Sequence, residues 1–325
     1  MKTKALLVLC FGIVLGLSAQ EATRHGPTYR LVNNTGTFSD AEIFWSLDHG
    51  KSWHAFAESK SVPCPLGNGR LYFQIGSVPK STGDRTALCD FIEYASENSD
   101  SWHGNTTQVD AFILPISITM GEHRVGITES RRELFRQFAQ QAPEPFKSCV
   151  QSDRRIVSPC RATFGTGGVN AHYFDAYLDA VWAEFAGGKQ TASGKWIGQV
   201  TDGALTFTPT DGKGRTLTCQ GKPTTQDVFL GTGVLKHNPE FCAAISRHVL
   251  AEPENWHRPA AYYQAEPCNW YAKFFHEHSL DRKAYGFCYD DAAGQAAFFS
   301  GKGTEVVVSL NWENTATGSK TSSGN

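Results

Sequence analysis

Apolar and polar positions change period along this chain, and the changes divide it. From Thr28 to about Met120 the apolar residues come in short runs broken by turn residues: YRLVNN, AEIFWSL, RLYFQIG, CDFIEY and VDAFILPISITM. Such runs predict an all-β segment. After Gly121 the period lengthens. ITESRRELFRQFAQQ places Leu134, Phe135 and Phe138 on one side of a helix that stops before Pro143. HYFDAYLDAVWAEFAGG sets Phe174, Tyr177, Val181, Trp182 and Phe185 at helical spacing ahead of Gly187 and Gly188. KWIGQV, ALTFTPT and RTLTCQ then predict strands joined by TDG and DGKG turns. NPEFCAAISRHVL predicts another helix, with Asn238 as N-cap and Pro239 in the first turn. KAYGFCYDDAAGQAAFFSGKGTEVVVSLNW returns to strands. Its EVVVSL run is apolar on both faces and needs neighbours on both sides, which the strand-rich opening would supply.

The two ends read differently. Lys2 and Lys4 precede an apolar run from Ala5 to Leu17, followed by Ser18 and Ala19. This is the pattern of a secretory signal cleaved after Ala19, and the run is short for a bilayer span. The tail from 314 to 325 is small and polar, which fits a disordered end or a linker stub. Export would remove Cys10 and leave Cys64, Cys89, Cys149, Cys160, Cys219, Cys242, Cys268 and Cys288. An even count in an exported chain predicts disulfides, with the pairing left open. There is no CxxC pair, and the HxH at His276 and His278 lacks a second pair, so it reads as a solvated strand or loop. GTGG at Gly165 to Gly168 lacks the Lys of a phosphate loop and reads as a turn. No cofactor or metal is expected.

Charge narrows the partners. The formal net charge is −2 with both signs interspersed, which disfavours nucleic acid and anionic membranes. Several of the eight tryptophans stand beside polar groups, as in SDSWHGN and PENWHRP. Flat rings with polar edges suit an uncharged polymer such as a polysaccharide. Trp182, on a helix face, reads as core. Polysaccharide cleavage needs two carboxyls, one protonated and one ionised. The stretch CDFIEYASENSDSWHGNTTQVDAF puts Glu93 at the end of one apolar run and Asp110 at the head of the next. Without further context, an exposed strand-end charge at Glu93 and a turn or strand-start residue at Asp110 are the favoured description of such a pair.

YRLVNNTG, DFIEY, NTTQVDAFILPISI, RRELFRQF and YGFCYDDAAGQAAF resemble glycoside hydrolase family 64, the secreted β-1,3-glucanases that release laminaripentaose. The last portion also resembles the end of thaumatin-like proteins. The resemblance implies a mainly β fold with α/β: a thaumatin-like sandwich or barrel at 20–125 and 283–313, an inserted mixed α/β domain at 126–282, and a wide groove between them. It implies a monomeric inverting hydrolase of β-1,3-glucan with Glu93 as general acid and Asp110 as general base. Inversion requires roughly 6.5 to 9.5 Å between the carboxyls. Apolar neighbours such as Phe91 would keep the acid protonated. Trp102, in the loop between the two acids, is implied as a stacking platform, with Asn105 and Thr107 near the sugar. Asp90 falls on the opposite strand face from Glu93 and takes a structural role. Asp290 and Asp291 read as turn residues. Ala95, Ser96 and Glu97 depart from the family's hydrogen-bonding side chains, which keeps open a non-catalytic β-glucan-binding protein. A hydrolase of a different β-glucan is the other alternative. Asn33 and Asn105 open N-x-T sequons.

Overall fold

The computed structural model describes residues 25–313. The expected signal and its cleavage point, and the polar tail from 314, lie outside them. Strand Glu305–Asn311, which contains EVVVSL, lies between two others. It runs parallel to Thr28–Asn34, from Thr28↔Glu305 to Asn34↔Asn311, and antiparallel to Ile116–Met120. His123–Gly126 and Ser61–Pro63 complete this five-stranded sheet at its two edges. A second, six-stranded sheet runs in the order Phe298–Lys302, Ser101–Thr106, Leu88–Asn98, Gly67–Ile75, Ile43–Ser46, His54–Ala55. Period-two alternation puts Asp90, Ile92 and Tyr94 of the Leu88–Asn98 strand inside and Phe91, Glu93 and Ala95 on the outer face. The inner faces of both sheets share one core, with Tyr29, Leu31, Phe73, Ile92, Ile118 and Val308 among its members.

A separate core gathers residues from Phe112 to Phe287. Phe138 of helix Arg131–Gln141 stands at its centre, against Trp270, Tyr271, Phe274 and Phe275. The helix starts at Ser130, whose hydroxyl accepts the Glu133 N–H. Helix Asp175–Glu184 buries Leu178 and Val181, and Trp182 packs half-buried with its indole donating to the Gly203 carbonyl. Strands Trp196–Thr201, Ala204–Pro209 and Leu217–Cys219 pair as KWIGQV, ALTFTPT and RTLTCQ predict.

Several expectations fail for physical reasons. VDAFILPISITM is not one strand. Ala111–Phe112 pairs with Arg155–Val157 in a small sheet of the helical part, and the chain then breaks before Ile116–Met120. Pro115 has no N–H for a ladder. The amides of Ile113 and Leu114 are taken instead by Asp90 Oδ2, at 3.1 and 3.0 Å. CNWYAKFFHEH contains a helix, Trp270–Glu277, that the reading above lacks; Asn269 caps it by accepting the Ala272 N–H. His276 therefore lies buried on a helix, not in a solvated loop. Asn238 sits at the N-cap of helix Pro239–Ser246 but does not cap it, since its amide donates to the Thr218 carbonyl. Among the described residues, no disulfide joins any of the eight cysteines, where the sequence leads one to expect pairing. Cys64 donates to the Tyr29 hydroxyl and Cys219 to the Gly221 carbonyl. Cys242 donates to the Val228 carbonyl.

Asp290 is not a plain turn residue either. Its fully buried carboxylate accepts from Arg247 Nη2 at 3.1 Å, from the Gly286 N–H at 2.9 Å and from His276 Nε2 at 3.0 Å. His276 Nδ1 meets the Arg282 carbonyl at 2.9 Å, so both ring nitrogens donate and the imidazole is charged. Burial alone would raise the Asp290 carboxyl and lower His276. Their attraction outweighs it, holding Asp290 below and His276 above the ordinary values. The pair's stabilisation is therefore lost as pH falls through the Asp290 value and as pH rises through the His276 value. Asp291, next along the chain, is exposed at a turn.

Two outcomes follow from these buried acids. Asp290→Asn leaves Arg247 without its counter-charge and should destabilise the protein by about 3–5 kcal/mol in urea unfolding; a loss below about 1 kcal/mol would contradict the network. Burial raises Asp90 from 3.8 to about 7, against the pull of the Leu114, Phe91 and Ile113 amides. A raised carboxyl contributes stability fully below its unfolded value and loses it as pH rises through the folded one. Melting temperature should therefore decline between about pH 4 and 7 in the wild type, and Asp90→Asn should flatten that slope.

Candidate active site

Glu93 projects from the outer face of the six-stranded sheet. It stands opposite Arg70 on one neighbouring strand and Asn105 on the other. The Arg70 guanidinium donates through Nε and Nη2 to Glu93 Oε1, at 3.0 and 2.8 Å, and lies 4.2 Å over the Phe91 ring. Asn105 Nδ2 reaches Glu93 Oε2 at 3.4 Å. The neighbour that governs Glu93 in the free protein is thus a cation, not the apolar Phe91. A two-point guanidinium fork is built for a carboxylate.

Asp110 occupies the seam between the two cores. Its carbonyl accepts the Ser158 N–H at 3.0 Å, and its carboxylate pairs with Arg161 Nη2 at 2.5 Å. Just before it, the Gln108 carbonyl accepts from the Tyr271 hydroxyl at 2.6 Å and the Gln108 N–H donates to the Tyr285 carbonyl. Just after it, Asp90 clamps Ile113 and Leu114, and the buried Arg131 donates to the Ile113 carbonyl at 2.7 Å. A half-exposed carboxylate is therefore held by rigid backbone on both sides. Asp110 and Arg70 line the same cleft of about 260 Å³, with Tyr72, Phe91, Arg155 and Arg161. A larger hollow of about 780 Å³, around Tyr263, Lys273 and Lys283, borders neither Glu93 nor Asp110.

The other residues named from the sequence divide. Asn105 is brought to Glu93, and its Oδ1 has no partner. Thr107 is buried, and its hydroxyl accepts the Val109 N–H in a local turn. Trp102 lies on a strand, not in a loop, and is 0% exposed. Its indole donates to the Tyr29 hydroxyl at 3.0 Å and its ring packs on Phe299. A ring without an exposed face cannot stack on a sugar, so Trp102 belongs to the sandwich core. Both hydrogens of the Asn33 amide are engaged, by the Phe38 carbonyl and Asp40.

Sequence reasoning missed Arg70, Arg161 and Tyr285. Burial first, then the charges of Asp291 and Glu93, raise the Tyr285 phenol, which places it within reach of the acid's field. The alternation in GNGRLYFQI already put Arg70 on one face with Tyr72, but cross-strand register with Glu93 is not written in either strand alone.

A family model described as β-1,3-glucanase, of glycoside hydrolase family 64, matches residues 79–308. Among curated proteins none matches. The fold is similar to that of a family 64 β-1,3-glucanase domain from Clostridium beijerinckii, with a TM-score of 0.75 at 24% identity over 88% of this chain and 98% of that one. A laminaripentaose-producing β-1,3-glucanase from Paenibacillus barengoltzii, solved with laminarihexaose, gives a TM-score of 0.68 at 28% identity over 88% of this chain and 75% of that one. A laminaripentaose-producing β-1,3-glucanase in complex with laminaritetraose gives 0.66 at 22% identity, over 89% and 98%. With most of its length inside the family match, the chain belongs to glycoside hydrolase family 64, the β-1,3-glucanases.

Proposed function

We propose that this glucanase is an exported, monomeric, inverting enzyme that cuts within β-1,3-glucan and releases laminaripentaose, with Glu93 as general acid and Asp110 as general base. The two-sheet sandwich is read as thaumatin-like, and 126–282 as the inserted domain that walls the groove. The observation that carries the assignment is the placing of the two acids. Glu93 stands on the outer face of the six-stranded sheet, and Asp110, at the seam, lines a cleft with Glu93's partner Arg70.

In the reaction, Glu93 gives its proton to the glycosidic oxygen as the bond to C1 breaks. A water on the other face of the sugar attacks C1 and gives its proton to Asp110. The two arginines bear on these roles differently. Arg161 donates to Asp110 Oδ1 and aims the carboxylate. Arg70 donates twice to Glu93 Oε1 in the free protein, so for that oxygen to face the glycosidic bond Arg70 must turn to another acceptor. The hydroxyls of a bound glucan supply acceptors at that point, which ties the acid's competence to substrate binding.

Glu93→Gln and Asp110→Asn should each lower the turnover of laminarin by about 10² to 10⁴ while binding to curdlan persists. Chromatography of wild-type digests should show laminaripentaose as the leading product. Near wild-type turnover in either variant would remove that residue from the mechanism. Trp102→Phe should lower the melting temperature and leave curdlan binding unchanged, because the ring is sealed in the core; weakened binding by a folded variant would contradict that placement.

A further inference from the structure

One row of the six-stranded sheet runs Arg70, Glu93, Asn105, Phe298, each directly opposite the next on adjacent strands and all on the outer face. Neighbouring strands lie about 4.8 Å apart, so Phe298 stands about 10 Å along the row from Glu93. The next residue, Phe299, turns inward and is 8% exposed, whereas Phe298 is 46% exposed. Single exposed hydrophobes need no explanation in general. This one differs in being the aromatic among the large exposed hydrophobic side chains of the described residues, and in standing in the row of the acid.

Its surroundings are polar and small. Asn105 lies between it and Glu93. One register step away, His103 Nδ1 meets Ser300 Oγ at 2.6 Å, and Ala95, opposite His103, adds little bulk to the face. A flat apolar ring rimmed by an amide, an imidazole and a hydroxyl matches a glucopyranose, which offers C–H groups on its face and hydroxyls around its edge.

We propose that Phe298 is the stacking platform for a glucosyl unit of the β-1,3-glucan, in a subsite beside the scissile bond. It would serve in the place that the buried Trp102 cannot. The proposal rests on Glu93 and Asp110 being the catalytic pair. Ring stacking is sensitive to aromaticity and not only to apolar area, which sets the choice of variants.

Laminarin hydrolysis and curdlan binding are compared for the wild type, Phe298→Ala, Phe298→Leu and Phe298→Tyr, with melting temperature as the control for folding. Phe298→Ala should raise the KM for laminarin and lower kcat/KM by about tenfold, with Phe298→Leu close to it and Phe298→Tyr restoring the wild-type value. The melting temperature should hardly move, because the side chain packs little. The platform is overturned if Phe298→Ala stays within about twofold of the wild type, or if Phe298→Leu restores activity as well as Phe298→Tyr does. A wild type that neither binds nor cleaves β-1,3-glucan overturns the substrate reading and the platform with it. Normal cleavage by both wild type and Phe298→Ala overturns the platform alone.

Discussion

The parallel pairing of Thr28–Asn34 with Glu305–Asn311 is the constraint on which the other features depend. Seven residues at each end of the described chain align without a bulge, in the middle of a sheet. A parallel pair requires a crossover, and here the crossover is nearly the whole protein. Closing so long a loop costs little more than closing a moderate one, because the entropy grows only with the logarithm of length. It is tolerable provided the intervening chain finds its own structure. The second core, built around Phe138, meets that condition. Once the five-stranded sheet is closed, its inner face buries the six-stranded sheet, and the outer face of the latter becomes the surface that carries Glu93.

The placing of Asp110 then reduces to how the chain passes between the two cores. It does so at residues 108–116. Tyr271 and Tyr285 hold the Gln108 end, Ser158 takes the carbonyl of Asp110, and Asp90 and Arg131 hold Ile113 and Leu114. Asp90 lies on the same strand as Glu93, three residues earlier and facing inward. One strand therefore presents Glu93 on its outer side and anchors the Asp110-bearing segment through its inner side. The spacing of the D-F-I-E motif follows from strand alternation, since residues three apart point to opposite faces.

Much of this was legible in the sequence, and the failures have identifiable causes. Strand runs and the helices at Arg131–Gln141 and Asp175–Glu184 could be read because periodicity is local. Trp102 was misplaced because polar neighbours suggested a loop. The alternation W-x-G-x-T held the opposite signal: Trp102, Gly104 and Thr106 all face inward, and the indole lies over Gly104, where a Cβ would collide with it. The even cysteine count implied pairing, but parity carries no spatial information, and the thiols are scattered through both cores. His276 looked like half of a weak metal motif, yet its partner Asp290 is distant in sequence and met only through the fold. Phe298 and Phe299 are adjacent aromatics, and only the strand shows that Phe299 is core while Phe298 lies on the outer face.

The central claim is that Glu93 and Asp110 act on opposite faces of one sugar in a single displacement by water. Proton NMR of a fresh laminarin digest, recorded before mutarotation, tests it most directly. The account predicts that the new reducing ends appear first as the α-anomer, inverted from the β-linkage, and drift toward the β-anomer with time. Reducing ends that appear first as the β-anomer would mean a covalent intermediate and two displacements, which would contradict the assignment of Asp110 as a base.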